Sequence, residues 1–377
     1  MSFELKNLSG QTVVVAMSGG VDSAAAAILL NKAGAKVVGV SMQVWDYRAG
    51  GGNASRATCC SPADFNDARE VAEKADFPFY VFDFEDSFSE SVINPFVKSY
   101  LEGKTPNPCL ECNRKVKFRE LRKRASGLGA EFVATGHYAQ VKDLPSGEKG
   151  LFTGADQNKD QSYFLYAMKE SELQKTLFPV GDMEKPEVRQ LLSDSGISIA
   201  EKPESQDICF VAGRVGDFIE KHSGVIAAPG PIVNVAGKIL GQHDGIHNYT
   251  VGQRKGLGIS NPEPLYVLEI DAESNSVRVG EKQELERSEF FVENLSWVSE
   301  AVSGAEPIEV LAKLRYRHQG VRSMVYPLGS GQARVEFLSD WSTVSPGQAA
   351  VFYETETDAA GDRRVLGGGT ISANVSH

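Results

Sequence analysis

A short apolar strand that runs into a glycine-containing turn and then an alanine-rich helix sets the strongest bound on what this chain can fold into. Thr12 to Met17 (TVVVAM) reads as the strand, Ser18 to Ser23 as the turn and Ala24 to Lys32 as the helix, ending near Gly34. The pattern recurs. Lys36 to Val40 reads as a second strand, Pro62 to Ala75 as a helix whose Ala68, Val71 and Ala72 share a face, and Phe79 to Phe84 as a third strand. A helical segment from Lys117 to Gly127 precedes a fourth strand, Glu131 to Thr135. Strands alternating with helices of this length predict an α/β fold with a doubly wound parallel sheet, since parallel neighbours need a crossover between them. Such sheets bind ligands beyond the carboxyl ends of their strands, where Met42, Gly136 and His137 fall.

The character of the text changes near Pro203. From Gly213 to Gly280 it is rich in Gly and Pro, with a Gly-dense run at Tyr249 to Ser260. From about Phe290 short alternating strands dominate, such as Val310 to Tyr316 and Ala333 to Phe337, and Asp358 to Arg364 reads as a hairpin loop. A chain of 377 residues exceeds one compact domain of usual size. The expected division is an α/β catalytic domain over 1–205, a small central domain over 206–283 and a terminal β-barrel over 284–377.

Three strings carry chemistry. Ser18-Gly19-Gly20-Val21-Asp22-Ser23 lies between strand and helix, where glycines admit a phosphate and helix N–H groups favour an anion. It lacks the Lys of a Walker A loop, and the six residues match the pyrophosphate loop of ATP pyrophosphatases. Thr105-Pro106-Asn107-Pro108-Cys109-Leu110-Glu111-Cys112-Asn113 is a proline-stiffened loop presenting two thiols. The basic run Arg114, Lys115, Lys117, Arg119, Arg122, Lys123 and Arg124 follows it and favours thiolate. No second CxxC or CxxH completes a zinc site. The third string, Glu204-Ser205-Gln206-Asp207-Ile208-Cys209-Phe210, carries a lone cysteine. By itself such a residue is ordinary core filler, and only pairing with Cys112 gives it chemistry. Cys59 and Cys60 are adjacent, and five cysteines in a chain of this length do not make a disulfide scaffold.

Together with Gly136-His137-Tyr138, Lys159 to Leu165 (KDQSYFL), Gly252 to Gly258 (GQRKGLG) and Pro346-Gly347-Gln348, these strings resemble, in order and along essentially the whole chain, the bacterial tRNA-specific 2-thiouridylase family. The resemblance implies ATP against Ala16, Met17, Ser18, Gly19, Gly20, Val21, Asp22, Ser23, Met42 and Gly136. It implies Asn107, Pro108 and Cys109 at the target base, and tRNA contacts from His137, Lys159, Asp160, Gln161, Arg315, Tyr316 and Gln348. The implied reaction adenylates the C2 oxygen of the wobble uridine at position 34 and then delivers sulfur from a persulfide on Cys209, with Cys112 attacking that persulfide and a Cys112 to Cys209 disulfide left behind. Mg²⁺ is implied by phosphate charge that a Lys-free loop does not neutralise. Many family members carry Asp where this chain has Cys109. Cys109, Cys112 and Cys209 could instead hold a 4Fe-4S cluster, and spacing alone does not decide between cluster and persulfide.

The implied partners are a tRNA with a wobble uridine and an upstream sulfur donor, a cysteine desulfurase or a sulfur carrier protein. With 39 basic against 50 acidic residues the chain has a formal net charge of -11, so any RNA-binding surface must be local. Lys313, Arg315, Tyr316, Arg317, His318 and Arg322 are expected to form such a surface, as a basic strand interleaved with an aromatic. Met1 to Gly10 has no signal-peptide pattern, and a cytoplasmic protein without membrane attachment is expected. Two other readings remain open from the residues: another adenylating enzyme with this loop, and an RNA-binding iron-sulfur redox sensor.

Overall fold

The computed structural model describes residues 8–46, 61–203, 208–211, 213–302, 304, 306–339 and 341–373. Cys59, Cys60 and the 204–207 part of the third string lie outside the described residues. The chain divides into two compact units, each assembled from separated stretches: 1–92, 109–212 and 356–366 in the first, 93–108, 213–355 and 367–377 in the second.

The first unit holds a five-stranded sheet of β1 (Thr12–Ala16), β2 (Lys36–Gln43), β3 (Phe79–Asp83), β4 (Phe132–Thr135) and β7 (Thr176–Leu177), in the order β3-β2-β1-β4-β7. Every pairing is parallel. Between β4 and β7 in sequence, β5 (Ala139–Asp143) and β6 (Lys149–Thr153) form an antiparallel hairpin. In the central strand β1, Val13 and Val15 enter one apolar cluster while Val14 buries itself outside it; all three are 0% exposed. Alternate side chains on a strand face opposite ways, so both faces of this sheet are covered, as parallel sheets require. α1 (Val21–Lys32) packs on one face through Ala24 to Ala27 and Leu30, small residues that let helix and sheet approach closely. α2 (Pro62–Lys74) begins at a capping box in which the Ser61 side chain accepts from Asp64 N–H and the Asp64 side chain accepts from Ser61 N–H. The four expected strands are present. The fifth, two residues long, is too short to leave a periodic signature.

The second unit contains a four-stranded sheet, in the order β10-β11-β8-β9, made from β8 (Gly230–Asn234), β9 (Ile239–His243), β10 (Tyr266–Asp271) and β11 (Ser276–Gly280). Ile232, Val267, Val277 and Val279 form its core at 0% exposure. It also contains a closed barrel. β12 (Glu286–Arg287) first pairs with the later β17 (Ser342–Thr343) as a short ladder. The barrel itself runs β13 (Glu289–Trp297), β16 (Gln332–Phe337), β15 (Val321–Gly329), β14 (Ile308–Lys313), β18 (Ala349–Tyr353) and β19 (Arg364–Ile371), and the part of β19 that belongs to this unit, 367–371, pairs back onto β13. Closure leaves no unpaired edge, and alternate residues such as Val310 and Ala312 fill the interior.

One expected strand is shorter than the sequence suggests. Val310 to Tyr316 alternates throughout, but β14 stops at Lys313 and the chain turns, with His318 N–H donating to the Arg315 carbonyl at 3.0 Å. The basic residues Arg315 to His318 therefore sit on a turn between β14 and β15, not on a strand. Among the described residues no helix is long and apolar enough to cross a membrane.

Candidate active site

The Ser18–Ser23 loop leaves β1 and enters α1 at the carboxyl end of the sheet. Gly19 has φ +70°, and a Cβ there would stand 2.2 Å from the Asp64 carbonyl oxygen. Gly136, just past β4, is pressed against the helix start: its Cβ would stand 2.5 Å from both the Asp22 carbonyl carbon and the Ser23 nitrogen. These two glycines fix the loop by close backbone approach. Ser23 Oγ accepts from Ser18 N–H (3.1 Å) and donates to the Gly20 carbonyl (3.1 Å), which holds the turn in shape. The first helical bond is Ala24 N–H to Gly20 at 3.2 Å, and Gly20 offers no side-chain cap. The N–H groups of Val21, Asp22 and Ser23 thus precede the helical ladder, where an anion is favoured. Ala16 and Met17 lead into the loop, with the Met17 N–H bonded to Val40 at 2.8 Å and the Met17 carbonyl to Ser41 Oγ at 2.6 Å. Met42 lies one residue further along β2.

Asp22 is the focus of a chain of contacts that the sequence does not reveal. Its Oδ1 accepts from the Tyr138 hydroxyl at 2.8 Å and from Lys185 Nζ at 2.6 Å. Lys185 itself is 7% exposed. Tyr138 is set in turn by Gln161, whose Oε1 accepts the Tyr138 N–H (3.1 Å) and whose N–H donates to the Tyr138 carbonyl (2.8 Å). Asp160 is 6% exposed and accepts from Gly154 N–H, Ser162 N–H and Ser162 Oγ at 3.0–3.1 Å. Its carboxylate shapes the turn from inside. Lys202 reaches the loop from yet another segment, donating to the Gly19 carbonyl at 3.0 Å. Two lysines therefore flank a loop that has none of its own. Neither lies in a recognisable motif, so no local signal could have found them.

Cys109 is exposed, and Cys112 and Cys209 are half-buried. Cys109 and Cys112 lie on one helical stretch, Pro108–Glu111 continuing into wider π-type turns over Cys112–Glu120. Such turns re-aim side chains and recur at functional sites. Asn113 is buried, and its Nδ2 donates to the Phe164 carbonyl at 3.1 Å. Among the described residues no three His, Cys, Asp or Glu side chains come together as metal ligands.

The basic run after the thiols is largely committed to the protein itself. Glu111 binds Arg114 at 2.7 Å and Lys115 at 2.9 Å; burial alone would raise its pKa, but those two hydrogen bonds outweigh burial and lower it. Arg122 donates to the Glu172 carbonyl (2.8 Å) and Thr176 Oγ1 (2.7 Å), and Arg124 lies 4.2 Å over the Phe84 ring.

His137 packs against both Phe118 and Phe178, ring centroids 6.0 Å away in each case, and shares a 2.7 Å hydrogen bond with Thr135 Oγ1 through Nδ1. Burial, followed by the charge of Lys117, pushes its pKa well below the ordinary value. It is a neutral imidazole near pH 7 and offers a phosphate no cation. Lys159 is half-buried on the turn before Asp160. In the second unit Gln348 Nε2 donates to the Thr105 carbonyl at 2.6 Å, and the Thr105 N–H donates to Pro346 at 3.0 Å. Gln348 thus clamps the loop that leads through half-buried Asn107 to buried Pro108. On the barrel turn Arg315 is exposed and Tyr316 half-buried.

Comparison with known proteins matches the chain in three successive segments. A family model described as tRNA methyl transferase HUP domain matches residues 11–213, one described as tRNA methyl transferase PRC-barrel domain matches 216–281, and one described as aminomethyltransferase beta-barrel domain matches 287–371. The chain is 47% identical over 375 residues to the tRNA-specific 2-thiouridylase MnmA of Geotalea uraniireducens, covering 99% of this chain and 98% of that protein. It is 47% identical over 367 residues to the protein of the same name from Geobacter metallireducens (97% of each). To that from Azorhizobium caulinodans it is 45% identical over 367 residues, 95% of this chain and 92% of the other.

Proposed function

This chain belongs to the tRNA-specific 2-thiouridylase family, and on that premise we propose that it replaces the C2 oxygen of a wobble uridine in tRNA by sulfur, at the expense of ATP. The observation that carries the reading is the Ser18–Ser23 loop, pressed between Asp64 and Gly136, in the same compact unit as Cys109, Cys112 and Cys209. The description of the first family model speaks of methyl transfer, whereas the relatives are 2-thiouridylases. Methyl transfer needs neither a loop of this sequence nor thiols such as Cys112 and Cys209, which supports thiolation as the reading.

In the proposed sequence the uridine O2 attacks the α-phosphorus of ATP and pyrophosphate leaves over the loop. Sulfur arrives as a persulfide on Cys209. Cys112 thiolate attacks the Sγ of Cys209 and releases hydrosulfide; hydrosulfide adds at C2 and AMP departs with the former oxygen. The Cys112 to Cys209 disulfide is then returned to thiols by an external dithiol. Direct attack of the persulfide on C2, followed by Cys112, gives the same products. Mg²⁺ held mainly by phosphate oxygens needs one or two carboxylates, and Asp22 is the loop's own. It would neutralise the leaving pyrophosphate. Lys185 is paired with Asp22 and Lys202 with Asp64 and Asp67, so neither lysine adds uncompensated positive charge for the phosphates.

The proposal takes in 1–205 as the catalytic domain, 206–283 as the central domain and 284–377 as the terminal barrel. Neutral His137, Lys159, Gln161, Arg315 and Tyr316 would meet tRNA; Asp160 and Gln348 would shape the loops that do. A cysteine desulfurase or sulfur carrier protein would supply the persulfide in the cytoplasm.

The test combines purified protein, ATP, a tRNA with a wobble uridine and a small persulfide donor, and reads AMP together with 2-thiouridine by nucleoside mass spectrometry. Thiouridine should form, and Cys112→Ala or Cys209→Ala should abolish it. AMP formation indifferent to tRNA would point to another adenylation substrate. Iron-free protein should be active and Cys109→Ala should retain thiolation; a strict need for iron would overturn the persulfide route.

A further inference from the structure

The string Gly252 to Gly258 (GQRKGLG) has no part in the chemistry above, and in the second unit it folds into a loop that is pinned on several sides. Gly252 N–H donates to the Val267 carbonyl at 2.8 Å and Val267 N–H to the Gln253 carbonyl at 3.0 Å, which ties the loop to β10. The Gln253 side chain closes it from inside, Oε1 accepting from Thr250 N–H (3.1 Å) and Nε2 donating to the Lys255 carbonyl (2.9 Å). Leu257, 7% exposed, is anchored in the core of the four-stranded sheet, between Gly256 and Gly258 at φ +79° and +68°, values that favour glycine. Arg254 and Lys255 are left outside, both exposed.

The loop lies against one end of the barrel in the same unit. A Cβ at Gly252 would stand in van der Waals contact with Thr343 Cγ2, at 3.5 Å, and Ser345 Oγ donates to the Val251 carbonyl at 3.3 Å. Thr343 belongs to β17 with Ser342, whose Oγ shares a 3.4 Å hydrogen bond with Nε2 of His318, on the turn that carries exposed Arg315. Burial, then the charge of Arg315, lowers the His318 pKa, so at neutral pH this ring is an uncharged support. β17 therefore stands between the two basic segments, and the residue that leads into it, Trp341, is 60% exposed. Elsewhere in this unit Arg278, Arg322 and Arg334 are paired with Glu269, Glu309 and Glu289, at 3.0, 2.5 and 2.9 Å. Among the described residues Arg254, Lys255 and Arg315 have no such partner. Glu263, and Glu286 opposite Thr343 on β12, are the acidic side chains of these segments.

We propose that the Gly252–Gly258 loop, Trp341 and Arg315 form one RNA-docking face, in which Arg254 and Lys255 hold phosphates and the Trp341 indole stacks on an unpaired base. The proposal deepens the tRNA reading and rests on it. A simple polyanion would satisfy the cations and leave the indole in water, whereas a nucleic-acid strand with an unpaired base satisfies both. Because the loop is already pinned by Gln253 and Leu257, little ordering is left to oppose binding.

Binding of a full-length tRNA with a wobble uridine, titrated at several salt concentrations, tests the face. In the double variant Arg254→Gln, Lys255→Gln affinity at about 100 mM salt should fall about tenfold, and the slope of log affinity against log salt should shrink by about two. Trp341→Ala should weaken binding about tenfold at an unchanged slope, because stacking is uncharged, and Trp341→Phe should stay within about threefold of wild type. Saturating tRNA should quench tryptophan emission in wild type, and most of that quench should vanish in Trp341→Phe, which retains Trp45 and Trp297. Arg278→Gln removes an exposed but paired cation and should leave the slope alone. Circular dichroism and urea midpoints of these variants should match wild type. An unchanged slope in the double variant, an equal loss in Arg278→Gln, or undiminished affinity in Trp341→Ala would each overturn the proposal. So would heparin that quenches Trp341 as fully as tRNA does. Thiouridine synthesis is read separately: wild-type protein that binds tRNA in this way yet makes none would refute the thiolation reading and support the face, and wild-type protein that thiolates with no Trp341 response would do the reverse.

Discussion

Residue 136 has no room for a methyl group: its Cβ would stand 2.5 Å from backbone atoms of Asp22 and Ser23, which cannot rotate away as a side chain could. Gly136→Ala should therefore displace the start of α1 and lower tRNA-dependent AMP formation by about a hundredfold, about 2.7 kcal/mol of transition-state stabilisation. Circular dichroism should show the fold retained; undiminished AMP formation would mean that the loop's geometry at Asp22 is irrelevant to ATP. The sequence places Gly136 after a strand end, but what the glycine makes room for is visible only once α1 is packed. His137 carries a pH consequence. Its folded pKa lies well below the ordinary 6.5, so as pH falls the unfolded chain takes up the proton first. Stability present above about pH 6.5 is lost below it, at a rate approaching about 1.4 kcal/mol per pH unit. His137→Gln should flatten the fall in urea midpoint between neutral pH and about pH 5.5, and an equal slope in both proteins would contradict the assignment.

At the level of elements, the helix after Cys112 and the turn after β14 are equally basic in sequence and differently used. Arg122 and Arg124 hold the helix to Glu172, Thr176 and Phe84, whereas Arg315 stands exposed on its turn. Arg122→Ala should cost roughly 1–3 kcal/mol of stability, because its removal strands polar partners, and leave the salt dependence of tRNA binding unchanged. Arg315→Ala should leave stability alone and reduce the salt slope by about one counter-ion. The opposite pairing, measured by denaturation and by binding titrations at several salt concentrations, would exchange the roles of the two elements. A composition-based reading could not separate them, since a charge's partner is set by what folds next to it. Nor could it end β14 correctly. Leu314 is 4% exposed although it lies beyond the end of β14, so the alternation of buried residues runs past the strand itself.

For the molecule as a whole, a net charge of -11 sets a long-range field that repels nucleic acid, so binding must come from local clusters and their counter-ion release. With about three phosphate contacts, affinity should drop about thirtyfold between about 50 and about 200 mM salt. A flat response would show that these clusters do not reach phosphates. The sequence by itself determined the parallel sheet, the phosphate loop at its carboxyl end and the β-rich terminal half, because strand and helix periodicities and a glycine turn are local properties of the chain. Only the tertiary structure decided which separated stretches make one unit. Residues 356–366 join the first unit, where Lys142 binds Asp358 and Asp362 at 2.6 Å each. It also decided that Lys185 and Lys202 serve the loop, that Asp160 and Gln348 support neighbouring turns, and that the barrel closes through β13 and β19. A side chain's partner across such sequence separations depends on packing and charge complementarity in the folded core, and no local pattern records it.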